Sequence, residues 1–497
     1  MVLEQFTASL SIVFLSNLFF LFFATLSFFG YLSLNKFFLF NQINNSFLLV
    51  KFSLILILFV LCGSVINFFS PLNDFLVGMI YMIGLIIFIL KFIKKENIIE
   101  LKWILIFFLL ITLYLYDSGN NNDFDYHSKH IELYKNYNLF NFNQNIIDGR
   151  VKYNSIYLLL NSLTYVTNIF ISIKFLSAFI FGLFILDIKK LIEKKESSVV
   201  IKYFSFFSLI CFCLALSKYK NIGTDYSAHL IYISLIIFYL TSYNFNKKFF
   251  ESKKFFIILC LILSLLVILK ISMLLCSLIL FHYIFIIYQK QKILSLFSIY
   301  LLIPFSLVLV WFFQNYILSK CIIYPLSPFC FLDENSIKSV IFEHNMINLF
   351  AKSVKINYWS EPISILQEMN SISYWFPFWL NDHFLKICEK FVPSIILLNI
   401  FLFKLFIRNQ KQIQLIDHQK LFFLIAFVIL IIWFLQTPAM RFGFSYLILN
   451  FFILNIIILK IFNLGLKEHL EVNYFSRTYN FIIYLMIIYQ FIRIYSN

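Results

Sequence analysis

Charge is what this chain has least of. Asp, Glu, Lys and Arg make up 13% of its 497 residues, against about 25% in a soluble domain, which excludes a soluble globular protein. Hydrophobic residues reach 61%, so much of the surface has to face lipid. Glycine and proline are few, 10 and 8, and nowhere gather with serine into a linker, so a single membrane domain, 1–497, is the simplest count. No repeat of fixed period is visible. The eight cysteines form no CxxC pair and no Cys/His cluster with zinc spacing, which removes a metal staple. Lys and Arg are also missing ahead of the first apolar run, where Met1–Thr7 carries Glu4 instead. A cleavable signal peptide is therefore not expected, and the first helix is expected to stay.

What the chain has is apolar runs. About 20 apolar residues cross a hydrocarbon core as a helix, and shorter runs cross when packed among neighbours. By that rule about 14 crossings are expected, at 10–32, 48–70, 76–92, 103–116, 168–186, 201–216, 227–243, 255–269, 271–288, 294–316, 391–407, 421–436, 445–461 and 479–493. The stretch 255–288 is too long for one helix and divides near Lys270, Ile271 and Ser272. The fold class is thus an all-α polytopic membrane protein. Its net charge of +16 does not require nucleic acid. The Lys and Arg residues fall mostly in short loops that all reach one side if the 14 spans are right, and under the positive-inside rule that side is the cytoplasm. The opposite loops, 117–155, 217–226, 317–390 and 437–444, hold most of the acids and the Trp-rich segment, so chemistry is expected to face outward.

The first long outer loop, 117–167, carries Asp123, Phe124, Asp125, Tyr126 and His127. Two carboxylates one residue apart can converge in a turn to hold a cation or serve as a base; the bland alternative is a solvated loop whose Asn and Asp set turns. Asp148-Gly149-Arg150 and Lys152 follow, then an apolar stretch, 156–166, too short to span, which is expected to lie in the interface with Tyr157, Asn161, Thr164 and Tyr165 toward the headgroups. Arg441 sits in a short outer loop where the positive-inside bias disfavours it. Its planar fork suits a phosphate, and snorkelling to headgroups is the alternative. Asp225, with His229 beyond it, stands at an outer helix start where capping or substrate binding would explain it. Lys270 reads as a tight outer turn. In the second outer loop, 317–390, Trp359, Trp375 and Trp379 are read as interface anchors or, less simply, sugar platforms, and Cys321 and Cys330 are spaced to close a disulfide on an oxidising side.

Taken together, Asp123-Phe-Asp125-Tyr126-His127, Gly149-Arg150, Tyr153-Asn154-Ser155, Lys270-Ile-Ser272, Cys321-Ile-Ile-Tyr324-Pro325 and Arg441-Phe442-Gly443 resemble the marks of a bacterial membrane family related to the GT-C glycosyltransferases, which take sugars from polyprenyl-phosphate donors. The resemblance implies a GT-C-like helical bundle in the bacterial inner (cytoplasmic) membrane. It also implies transfer of a sugar to a glycan, lipid or protein acceptor on the extracytoplasmic face. Asp123 or Asp125, with His127, would be catalytic; Arg441, Arg150, Lys152, Tyr126, Lys270 and Asp225 would bind substrate. The spacing of the acids departs from the usual acidic pair, so which Asp acts stays open. A DxD sequence permits Mg²⁺ or Mn²⁺, yet nothing in the sequence requires either, and no metal ligand set is named. The alternatives are a polysaccharide polymerase or ligase acting on lipid-linked oligosaccharides, and a flippase or transporter of lipid-linked sugars.

Overall fold

Inside a bilayer the backbone has no water to bond to, so apolar runs resolve into helices that satisfy their own N–H and C=O groups. A computed structural model of the chain describes residues 2–34, 47–94, 124–141, 156–167, 169–194, 198–215, 225–290, 298–352, 371–402, 406–408, 417–462, 464–466 and 472–496, with residues 43, 104, 106–108, 112 and 296 between them. These residues are almost wholly helical. The helices that matter are α1 (Val2–Leu32), α2 (Leu48–Phe69), α3 (Asp74–Ile93), α4 (Phe124–Asn136), α5 (Ile156–Ser162), α6 (Phe175–Glu193), α7 (Val199–Leu214), α8 (Asp225–Phe245), α9 (Lys253–Leu269), α10 (Ile279–Gln289), α11 (Leu302–Ser319), α12 (Glu334–Ala351), α13 (Ile372–Trp379), α14 (Leu385–Phe401), α15 (Asp417–Gln436), α16 (Met440–Ile461) and α17 (Val472–Ser496). Phe406–Arg408 and Leu464–Leu466 form a short antiparallel pair.

Seven helical segments among the described residues are long and apolar enough to cross a membrane: Phe14–Leu32, Leu48–Phe69, Asp74–Ile93, Asp225–Phe245, Ile271–Gln289, Ile299–Ser319 and Met440–Ile461. Several of the other expected spans fall on shorter helices such as Val199–Leu214, and 103–116 lies mostly outside the described residues.

Neighbouring helices share their ends in a regular way. Phe47, just before α2, meets Phe238 late in α8 at 5.1 Å between ring centroids, so these two helices run antiparallel. At this lower end the Asp187 carboxylate of α6 accepts the backbone N–H groups of Leu48 and Leu49 at 2.6 and 2.9 Å. It thereby caps two donors that the first turn of α2 cannot satisfy itself. Lys290, just after α10, pairs with Glu251, just before α9. At the upper end the N–H of Leu72, after α2, bonds to the Tyr134 carbonyl of α4 at 2.8 Å, and Asn73 caps α3 through Leu76 N–H at 3.1 Å.

The core is one continuous cluster rich in aromatic rings. Phe28 meets Phe52, Phe175 and Phe179 at 5.6, 5.4 and 5.2 Å, distances at which tilted and edge-on pairs are favourable. A polar cross-link passes through the cluster. Asn455 of α16 donates to the Tyr203 hydroxyl of α7 at 2.7 Å and accepts from Asn399 of α14 at 3.1 Å.

Two expectations about the loops need correction. The segment after residue 155 does not turn Tyr157, Asn161 and Thr164 toward headgroups: all of α5 is buried, as is Thr164, because the helix packs against α2 and α4 and the Tyr157 hydroxyl bonds to Ser227 at 2.8 Å, while Tyr165 is half-buried. Helix also begins well before the expected span 391–407: it starts at Ile372 and runs through a π-helical turn, Leu380–Phe384, into α14, so that span opens inside a continuous helix. Cys321 and Cys330 do form a disulfide.

Candidate functional site

Three helix ends meet at the upper end. The first is the end of α9, where Lys270 is extended (φ −158°, ψ 117°) and the chain continues as a 3₁₀ stretch, Ile271–Leu278. The second is the first residue of α8, Asp225. The third is the start of α16. Lys270 Nζ lies 2.5 Å from Asp225 Oδ1 and donates to the Arg441 carbonyl at 2.8 Å. The Lys270 side chain is 7% exposed and that of Asp225 28%, so the cation is sunk into the bundle while the carboxylate reaches its edge. Arg441 itself is exposed.

One ring organises the two cations. Lys270 Nζ stands 4.8 Å and the Arg441 guanidinium 4.7 Å from the centroid of Phe442, each at cation–π distance. Asp225 faces Lys270 and Arg441 together. Among the described residues, two positive groups stand around this one carboxylate, partly shielded from water. That is a setting for an anion, and the guanidinium supplies a planar pair of donors for it.

The turn that presents Arg441 is braced from beneath. Trp379 Nε1–H donates to the Pro438 carbonyl at 2.7 Å and Trp433 Nε1–H to the Ala439 carbonyl at 3.3 Å. A Cβ at Gly443 would overlap the Trp433 indole, so only glycine lets this ring reach the turn. Trp375 and Trp379 are 1% and 6% exposed. They are neither interface anchors nor open sugar platforms; Trp379 is a strut, and Trp359 lies outside the described residues. Beyond the bend, His229 bonds to Ser445 Oγ at 2.8 Å and to the Arg441 carbonyl at 3.0 Å, and the Tyr446 hydroxyl donates to the Ser272 carbonyl at 2.8 Å.

Helix α4, from the first outer loop, is held at the same end. Lys135 pairs with Asp74 at the start of α3 and donates to the Tyr165 carbonyl at 2.8 Å. Burial pulls the Lys135 ammonium below the usual lysine range, against the opposing pull of Asp74. His130 is 2% exposed and stacks on Tyr134 at 5.2 Å. Burial, with His127 adding to it, drops His130 to about 3, so its ring is neutral. Through α5, whose Tyr157 bonds to Ser227 two residues after Asp225, α4 is packed toward the Lys270 cluster.

Of the residues expected from sequence, Asp225, Lys270 and Arg441 are brought together. Asp125 and Tyr126 lie in the first turn of α4 with their side chains outside the described residues, and His127 follows them half-buried. Asp123, Arg150 and Lys152 lie outside the described residues. Among the described residues no group of three His, Cys, Asp or Glu is set to hold a metal ion. Sequence reading did not single out Ser445 or Trp433, and gave Phe442 only within the Arg441-Phe442-Gly443 motif. The available signal was the four-residue spacing of Asp225 and His229, which puts both on one helix face. A family model described as Domain of unknown function (DUF8201) matches residues 11–448. No curated protein and no solved structure matches the chain.

Proposed function

Because the chain belongs to the Domain of unknown function (DUF8201) family, whose description carries no activity, we propose a function from its own residues: an integral membrane glycosyltransferase of the GT-C type. It takes a sugar from a polyprenyl-phosphate donor and passes it to a glycan, lipid or protein acceptor at the extracytoplasmic face of a bacterial inner membrane. The observation that carries this reading is the meeting of Lys270, Arg441 and Asp225 at the end where α4 docks. In this reading all 14 sequence spans cross, several as short helices packed among neighbours. The Cys321–Cys330 disulfide then sits on the oxidising side, where such bonds persist.

The step is a displacement. The acceptor hydroxyl oxygen bonds to the anomeric carbon, the bond from that carbon to the phosphate oxygen breaks, and Asp125 or Asp123 takes the hydroxyl proton. The lipid phosphate leaves with its electron pair, and Arg441 and Lys270 stabilise the charge that develops on it. The broken helix at Lys270 also favours a second reading, a lipid-linked sugar flippase, since transporters place interrupted helices at their binding sites.

The test is sugar release from a panel of polyprenyl-phosphate sugars by purified protein, with Asp123→Asn, Asp125→Asn and Arg441→Gln beside the wild type. Loss of turnover in one Asp variant with lipid binding kept supports the transferase and names its base. Lipid binding without turnover in the wild type, with every acceptor tried, replaces it with the flippase.

A further inference from the structure

Helix α16 bends in its first turn. Gly443 has φ −128° and ψ 18°, outside helical values. The bend falls between two groups that a regular helix bonds to each other, the Ser445 N–H and the Arg441 carbonyl four residues earlier. The imidazole of His229, reaching over from α8, meets both. Its Nε2 is 3.0 Å from the Arg441 carbonyl oxygen, and its Nδ1 is 3.4 Å from the Ser445 backbone nitrogen and 2.8 Å from Ser445 Oγ.

These partners select one form of the ring. A carbonyl only accepts and a backbone N–H only donates. Nε2 therefore carries the proton, and Nδ1 offers its lone pair to Ser445. His229 is fully buried, so bulk solvent reaches neither nitrogen. A side chain set into the hydrogen-bond ladder is one of the recognised causes of a sharp helix bend. The Arg441 carbonyl takes a second donor, Lys270 Nζ at 2.8 Å, which uses both of its lone pairs. The backbone of Arg441 is thus pinned from α8 and from the end of α9, and its guanidinium lies over Phe442.

We propose that His229 is the positioning residue for Arg441. Its imidazole bridges the ladder of α16 and holds the first turn at the angle that aims the guanidinium at an anionic phosphate group. The role of that phosphate rests on the reading under Proposed function; the positioning itself does not.

The experiment compares His229→Phe with His229→Gln in the purified full chain. Glutamine carries an amide N–H at about the reach of Nε2, while phenylalanine fills the space and donates nothing. The first readout needs no ligand: the rate of phenylglyoxal modification of Arg441, followed by peptide mass spectrometry. The expected result is a rise of about tenfold in His229→Phe, the weight of one lost hydrogen bond, with His229→Gln unchanged to within about 1.5-fold of wild type on the same scale. An unchanged rate in His229→Phe, or an equal rise in both variants, overturns the proposal. Ser445→Ala leaves the ring in place and removes the hydroxyl that orients it. Should the Phe variant not fold, a rise of about threefold in Ser445→Ala supports the positioning role and no rise overturns it. The second readout is binding of polyprenyl phosphate in detergent micelles. If the modification rates follow the expected pattern while the wild type binds no lipid phosphate, the transferase reading fails and the positioning stands.

Discussion

Lys270 and Asp225 form an ion pair at 2.5 Å that ties the break after α9 to the first residue of α8. The lysine is buried and the aspartate is partly so, and removing one member of such a pair strands the other. Lys270→Met or Asp225→Asn alone is expected to cost about 3 kcal/mol. The double variant is expected to lose clearly less than the sum, since no charge is left alone. Thermal unfolding in detergent of the four proteins checks this, and strictly additive losses would show that the two side chains do not act on each other.

His130 gives the upper end an acid sensitivity of stated sign. Its ring is held at about 3 by burial and by His127, against about 6.5 in an unfolded chain. The unfolded form therefore binds the extra proton in that window, and the stability is complete above about pH 6.5 and lost progressively as pH falls toward 3, by at most about 1.4 kcal/mol per pH unit. Unfolding midpoints of wild type and His130→Phe, measured from pH 7 to pH 4, should converge as pH drops. Parallel curves would remove His130 as the cause.

Cys321 and Cys330 close a short loop after α11. Loop-closure entropy for nine to ten residues corresponds to about 2–3 kcal/mol. Mass spectrometry of the non-reduced protein should find the peptides joined. Cys321→Ser with Cys330→Ser should lower the unfolding midpoint, and reductant should then shift the wild type but not the variant. Free thiols at both positions in protein taken from native membranes would place this loop in a reducing compartment and count against the outward orientation.

Helices α1 and α3 touch backbone to backbone. A Cβ at Gly30 would overlap the Gly84 carbonyl, and one at Gly84 would overlap Ser27. Most of the remaining surface of α3 is exposed, so this contact is its main attachment within the protein. Gly84→Val should push the two helices apart at a cost of about 1–3 kcal/mol, read as a lower unfolding midpoint, while Gly78→Ala, which has open space around it, should change little. Equal losses at the two positions would show that the α1–α3 contact is not the cause, since helix propensity favours both replacements over glycine.

The sequence alone decided the class of structure, because continuous apolar runs of about 20 residues satisfy their backbone in lipid as helices. It also drew attention to Asp225, Lys270 and Arg441 one at a time, each as an ionisable residue at the edge of an apolar run. It misjudged α5, since an apolar stretch too short to span is equally suited to the interface and to burial under neighbouring helices. It passed over Gly30 and Gly84, since two glycines far apart in a chain with few small residues carry no packing signal until the helices that bear them are neighbours.

Which ends meet was left to the tertiary structure. Lys270 reaches an aspartate 45 positions away and a carbonyl 171 positions away, and His229 bridges two groups more than 200 positions distant. Hydrophobic periodicity sets where helices begin and end. It says little about which of them pack together inside lipid, where association rests on close packing and on polar bonds between helices. The bend at Gly443, the cations gathered on Phe442 and the imidazole set into the helix ladder all arise from that packing.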